Sequence, residues 1–291
     1  MPRSIDDGFE DFLARLNASA VESRAAANHR ASIEARLKND FGLRRFVRIG
    51  SFGNGTSISG HSDVDYLACL PTDQLTRIST SSLVKVRNAL DARFPHTGVH
   101  VNCPAVVVPF GNRKSFTTEI VPADYLRESD GYKIYDIPDC AGGWMEASPD
   151  AHNAYVRWVD NKLDGRVKPL IRFIKAWKFF RSVPISSFYL ELRVAKYASG
   201  ESSIVYDIDV KRILCQLRDC NLASMRDPMG VSGYISPCKS PALLAVARSK
   251  VITAAARAEK AREVTARENI SAAFAWWRLV YNNQFPTYYY Y

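Results

Sequence analysis

Hydrophobic positions along this chain change their spacing near the middle. Over residues 9–38 they recur at helical intervals (Phe9, Phe12, Leu13, Leu16, then Ile33 and Leu37), which predicts one or two long helices. After the turn at 39–42, FVRIG reads as a strand running into a Gly/Ser-rich loop, and DYLACLP reads as a second strand. Residues 80–94 are amphipathic at helical spacing. The segments 99–110 (VHVNCPAVVVPF) and 114–126 (KSFTTEIVPADYL) are apolar and β-branched, and read as strands. Residues 130–156 are punctuated by Pro and Gly and read as a connection. Beyond it the pattern is helical, over 151–181, 186–199, 208–222 and 239–282. This order predicts an α+β protein, with a mixed sheet domain and a long N-terminal helix over residues 1–150 and a helical lobe packed against it over 151–291.

Composition adds limits. No apolar run approaches the ~18 residues of a membrane span, and the polar start MPRSIDDGFEDF lacks the apolar core of a secretory signal. The six cysteines contain no CxxC pair, so they read as reduced thiols of a cytoplasmic protein without structural zinc. A net charge of +9 favours anionic partners without identifying one.

The chemistry concentrates in GSFGNGTSISGHSDVD (50–65). Its Gly, Ser and Asn residues allow the backbone to bend closely around an anion. It ends in Asp63 and Asp65, which point the same way on a strand. Two carboxylates that close repel unless a cation sits between them. Mg²⁺ prefers such ligands and leaves room for substrate phosphates. A two-metal phosphoryl-transfer site calls for a third carboxylate. Glu119, in an apolar strand, is the candidate; Asp124, after Pro122, reads instead as a loop or capping residue. Downstream, residues 157–181 carry eight basic and two acidic residues. Arg172 and Lys175, three apart on an apolar helix, read as facing an anionic ligand, with a solvated basic stripe as the competing reading. Ser186 and Ser187 supply hydroxyls at the next helix start, for a phosphate or for plain capping. Phe188 and Tyr189 are aromatic faces for a base or for the core.

Together these strings, with LIRFIKAWK, ISSFYLEL and AFAWWRLVYNNQFP, resemble the polymerase-β nucleotidyltransferase superfamily. Within it they resemble the branch of cGAS, the 2′–5′ oligoadenylate synthetases and the bacterial cGAS/DncV-like nucleotidyltransferases. The resemblance implies a bilobal nucleotidyltransferase fold and a synthase joining nucleoside triphosphates, ATP and GTP foremost, into a cyclic di- or trinucleotide second messenger, with release of pyrophosphate, for bacterial anti-phage (CBASS) signalling. Carried across, Asp63, Asp65 and Glu119 hold two Mg²⁺ ions, which Mn²⁺ can replace. Gly50 and Ser51 contact the donor triphosphate, Lys175 and Ser187 bind its β/γ-phosphates with Arg172 assisting, and Phe188 stacks on the donor base. The family usually has Asp where this chain has Glu119. The implied partners are a cyclic-nucleotide-activated effector and a CBASS accessory protein; whether a nucleic acid activates the enzyme stays open, and the zinc-binding insertion of cGAS is absent. Two other readings compete: a nucleotidyltransferase acting on an RNA, antibiotic or protein hydroxyl, and an inert nucleotide- or RNA-binding scaffold.

Overall fold

A computed structural model describes residues 4–17, 20–60, 63–110 and 116–289, with the backbone alone for 20–26 and 116. His61, Ser62, the start of the predicted strand at 114–115 and the terminal Tyr290–Tyr291 lie outside the described residues. The chain forms two compact units: a sheet unit of Ala18–Ala154 with Met229–Ser232, and a helical unit of Met1–Asn17, Tyr155–Pro228 and Gly233–Tyr291. The expected division at 150 therefore misplaces the first helix.

In the sheet unit, α2 (Ala20–Phe41) precedes β1 (Arg45–Ile49), a short helix α3 (Gly50–Asn54), β2 (Val64–Leu70) and α4 (Ser79–Arg93). Then come β3 (His100–Asn102), β4 (Ala105–Phe110), β5 (Phe116–Ser129), β6 (Tyr132–Pro138) and β7 (Trp144–Ala147). The sheet order is β1-β2-β5-β4-β3, with β6 joined to β5 and β7 to β6. Only β2 and β5 pair in parallel among these ladders. One face is covered by Ile33 and Leu37 of α2 and by Leu83, Val86 and Leu90 of α4, packed on Tyr66, Val106, Val108 and Ile120. The segment 99–110, read as one strand, is a hairpin. The connection expected over 130–156 holds β6, β7 and the start of a helix instead. Its Gly and Pro residues sit in the turns and strand ends, and the strands between them are the alternating stretches YKIYDIP and WMEA.

Two of the six cysteines correct the all-thiol reading. Cys103, in the β3–β4 turn, and Cys140, in the β6–β7 loop, form a disulfide with Cα atoms 5.6 Å apart, inside the range that such a bond bridges. The two are 37 residues apart and only the sheet brings them together. Cys69, Cys215, Cys220 and Cys238 are free thiols.

The helical unit contains α1 (Ile5–Leu16), most of α5 (Pro149–Lys162), α6 (Val167–Phe180), α7 (Ser187–Ser199), α8 (Tyr206–Asp219), α9 (Pro241–Ala266) and α10 (Ile270–Val280). A two-stranded ladder of β8 (Met225–Arg226) and β9 (Tyr234–Ile235) completes it. Ser4 opens α1 with a reciprocal capping box to Asp7. The apolar stripe of α1 then buries Phe9 and Phe12 among aromatic rings. Phe9 lies 5.0 Å from Phe173, 5.1 Å from Trp277 and 5.0 Å from Phe285, and Phe12 lies 4.7 Å from Tyr281. Edge and tilted contacts at these distances add to the burial of each ring, so α1 belongs to the helical unit. No helix among the described residues is long and apolar enough to cross a membrane.

Candidate active site

Strand alternation decides which carboxylates meet. Val64, Tyr66, Ala68 and Leu70 of β2 all enter the core under α2 and α4. Asp65, Leu67 and Cys69 therefore turn to the opposite face, where Leu67 and Cys69 pack with Ala123 and Tyr135. In β5, Ile120 joins the helix-covered core, which turns Glu119, Val121 and Ala123 to that same opposite face. The parallel register sets Asp65 beside Glu119, Leu67 beside Val121 and Cys69 beside Ala123. Neighbouring strands are about 4.8 Å apart, so the two carboxylates are adjacent on one face of the sheet. Across the sheet their row reads Ile49, Asp65, Glu119, Val107, with an apolar residue at each flank. Asp63 precedes the strand and is exposed, whereas Asp65 and Glu119 are half-buried.

Gly50 explains why a glycine opens the segment. Its φ is +58°, and a Cβ added there would stand 2.2 Å from Oδ2 of Asp65. The backbone of residue 50 thus lies directly against that carboxylate, in a space without room for a Cβ and a conformation that favours glycine. The expected loop begins as the helical turn α3. Thr56 N donates to the Ser51 carbonyl at 2.8 Å, and Gly55 ends the turn in the left-handed region at φ +68°. Gly53 is tight as well, since a Cβ there would meet the Arg48 carbonyl oxygen at 2.8 Å.

Sequence reasoning missed a brace on the same sheet. Arg45 donates to both carboxylate oxygens of Asp150 at 2.6 and 2.8 Å and to the Tyr135 hydroxyl at 2.5 Å. The bidentate contact with Asp150 raises the Arg45 pKa despite partial burial, and it ties the first turn of α5 to β1. Residues 45, 135 and 150 are too far apart in sequence to leave a signal. Asp124 also departs from its reading as a loop or cap: it is a strand residue of β5, and its carboxylate accepts from the Thr72 hydroxyl at 2.9 Å.

The helical unit corrects the expected phosphate contacts. Lys175 is wholly buried and donates to Glu191 Oε1 at 2.7 Å, with the Glu191 side chain only 4% exposed. The reason lies in the helix face: α6 buries Ile171, Ile174 and Lys175 together, and α7 presents Glu191 opposite. One turn on, half-buried Lys178 donates to the Ser187 hydroxyl at 2.6 Å. Ser186 acts as the N-cap of α7, accepting from Tyr189 N. Phe188 is 40% exposed beside them, and Tyr189 is core. Arg172 is half-buried; burial lowers its pKa and the charge of Asp160 works against that shift.

The carboxylates fit a divalent cation by the chemistry of their donors. All three candidates offer oxygen only, two of them in register and the third two residues before Asp65. No three acidic, histidine or cysteine side chains already converge at metal-holding distance among the described residues.

Residues 4–160 match the model of the Second Messenger Oligonucleotide or Dinucleotide Synthetase domain, SMODS. A probable cyclic nucleotide synthase of Bacillus cereus (strain VD146) is 31% identical over 138 residues, 46% of this chain and 41% of that protein. A cyclic AMP-AMP-AMP synthase of Acinetobacter is 28% identical over 175 residues, covering 54% and 48%. The chain thus spans less than half the length of these two relatives. Among solved structures, E. coli MS115-1 CdnC with ATP superposes with a TM-score of 0.73 at 17% identity, covering 96% of this chain and 98% of that one. Bradyrhizobium diazoefficiens CdnG with GTP gives 0.74 at 12% identity, covering 96% and 95%. At these identities the likeness shows the fold, and the expected nucleotidyltransferase architecture of mixed sheet and helical lobe stands.

Proposed function

The chain belongs to the second messenger oligonucleotide or dinucleotide synthetase family, and from that premise we propose that it joins nucleoside triphosphates into a cyclic di- or trinucleotide. The observation that carries this reading is the Asp65–Glu119 pair, set in register on the face of the sheet opposite α2 and α4 with Gly50 pressed against Asp65. The relatives point the same way: one is named for a cyclic AMP-AMP-AMP product, and two solved ones hold ATP or GTP.

Asp63, Asp65 and Glu119 would hold two Mg²⁺ ions, or Mn²⁺ in their place, which when bound supply positive charge at the attacking and leaving oxygens and lower the pKa of the hydroxyl. Gly50 and Ser51 bring backbone close to the donor phosphates. A ribose hydroxyl forms a bond to the α-phosphorus of a second nucleotide as the bond to pyrophosphate breaks, and Glu119 takes the hydroxyl proton. A last transfer within the linear product closes the ring. On the helical unit, Lys178 and Ser187 form the phosphate-binding group, with Arg172 nearby in sequence and Phe188 the aromatic face for a base. Lys175 contributes through the buried pair with Glu191. The product serves as a second messenger for an effector in anti-phage defence.

The test supplies ATP, GTP, CTP and UTP with Mg²⁺ and reads the products by mass spectrometry. The expected result is a small product resistant to nuclease and phosphatase, reduced by about a hundredfold or more in Asp65→Asn and Glu119→Gln at unchanged melting temperature. Label transferred to RNA or protein instead, or undiminished product in either variant, would overturn the proposal.

A further inference from the structure

Helix α9 has a buried apolar face and, opposite it over 241–256, an exposed face without charge. Ala247, Val251, Ala254, Ala255, Ala258 and Ala261 are buried. At 100° per residue, the opposite face carries Val246, Ser249, Ile252 and Thr253. Val246 is 47% exposed and Ile252 56% exposed, and Leu243 near the helix start is 40% exposed. No charged residue interrupts this outer face between Pro241 and Ala256, because Arg248 falls on one of its edges and Lys250 and Arg257 on the other. Leu279 of α10, 40% exposed, extends the apolar surface beyond Arg257, which donates to the Leu279 carbonyl at 2.9 Å.

The charge along these edges has one sign. From Pro228 to Ala258 the chain has four basic residues (Lys239, Arg248, Lys250, Arg257) and no acidic one. Arg248 donates to the Asn221 carbonyl at 3.0 Å, and Lys250 to the carbonyls of Arg181 and Ser182 at 2.7 and 2.9 Å. Arg181 in turn donates to Val280 O at 3.1 Å. Backbone carbonyls therefore hold these cations in place, and among the described residues no carboxylate neutralises them. Burial and the neighbouring charge of Arg257 both lower the pKa of Arg181, the mark of like charges gathered without a counter-charge.

We propose that the outer face of α9, with its Lys250–Arg257–Arg181 edge, docks an acidic amphipathic segment of a partner protein. Val246 and Ile252 stand about 120° apart around α9 and border an uncharged strip of Ala245, Ser249 and Ala256, a shallow track along which one apolar ridge of a partner helix can lie. Acidic residues flanking that ridge meet the fixed cations. A second copy of this chain is the wrong occupant, because a two-fold contact would bring the same cations together. The exposed Val246 and Ile252 also suit a protein segment better than a nucleic acid, whose backbone offers no apolar counterpart.

The test uses the full chain and a fluorescein-labelled helical peptide about four turns long, with Leu and Ile along one ridge and Glu beside them. The control peptide carries Lys for every Glu. The Glu peptide is expected to bind saturably in fluorescence anisotropy, less tightly as salt rises, and to slow amide exchange over 241–257, while the Lys peptide does not bind. The Val246→Glu/Ile252→Glu and Lys250→Glu/Arg257→Glu variants each weaken binding by about tenfold or more, with cyclic product formation unchanged. Val246→Ser/Ile252→Ser, milder at these exposed positions, is expected to weaken it in the same direction. Equal binding by wild type and all three variants, or no binding of the Glu peptide, overturns the proposal. So does a preference for phosphatidylglycerol vesicles, for single-stranded RNA or for self-association that the same variants abolish.

Discussion

Gly50 and Asp65 constrain each other. A methyl group at residue 50 would overlap the Asp65 carboxylate and demand a positive φ from alanine. Gly50→Ala is therefore expected to lower stability by about 1–2 kcal/mol through backbone strain. It should also remove most product formation by displacing Asp65; full activity with a normal melting curve would separate the two residues. The lysines of α6 divide similarly. Replacing Lys175 by Met leaves Glu191 buried without its cation, an expected cost of about 3–5 kcal/mol for a broken buried pair, read by chemical denaturation. Lys178→Ala leaves stability nearly unchanged and raises the KM for nucleotide. The reverse pattern would restore Lys175 as the phosphate ligand. Sequence spacing rightly placed Arg172 and Lys175 on neighbouring turns of one helix, but it carries no information about Glu191 sixteen positions away.

At the scale of elements, helix ends and strand register do most of the positioning. Asp160 is buried and its Oδ1 accepts from the backbone N–H of both Val167 and Lys168 at 3.0 Å, so a residue of α5 caps α6 across the intervening turn. Asp160→Ala is expected to destabilise the helical unit by about 1–2 kcal/mol, with Asp160→Asn recovering part of that loss, as thermal melting would show. A melting temperature unchanged by Asp160→Ala would remove the cap from the account. The helices and most strands were legible from periodicity: α1, α2, α4, α7 and α8 fall where apolar spacing put them, whereas the stretches 151–181 and 239–282, each read as one helix, both divide into two. The β6–β7 strands were not, because Pro and Gly within a short window outweighed the alternation of YKIYDIP. Asp124 misled for a related reason. Pro122 in a strand looks like an end, yet β5 runs through it to Ser129.

For the molecule as a whole, buried tyrosines set an alkaline limit. Burial raises the pKa of Tyr135, Tyr155, Tyr206 and Tyr281, and that of Tyr189 to about 12. Each folded-state pKa lies above the unfolded value of about 10. Their contribution is thus complete below pH ~10 and lost as pH rises through the folded-state values, about 12 for Tyr189, because the unfolded chain ionises first. The melting temperature is expected to hold to about pH 9.5 and then to fall steeply. Tyr189→Phe should soften that fall; an unchanged profile would mean that other groups govern it.

The sequence by itself determined the local terms: helical and strand periods, the DxD string at the head of β2, and the family strings that point to nucleotidyl transfer. These depend on residues a few positions apart, whose geometry the backbone dictates. Tertiary structure alone decided the rest. It set Glu119 beside Asp65 by parallel register, joined Cys103 to Cys140 and turned Lys175 inward to Glu191. It also drew α1 into the aromatic core of the helical unit, and left one uncharged face of α9 exposed. Each of these is a contact between segments distant in sequence, fixed by packing and charge neutralisation that no local pattern encodes.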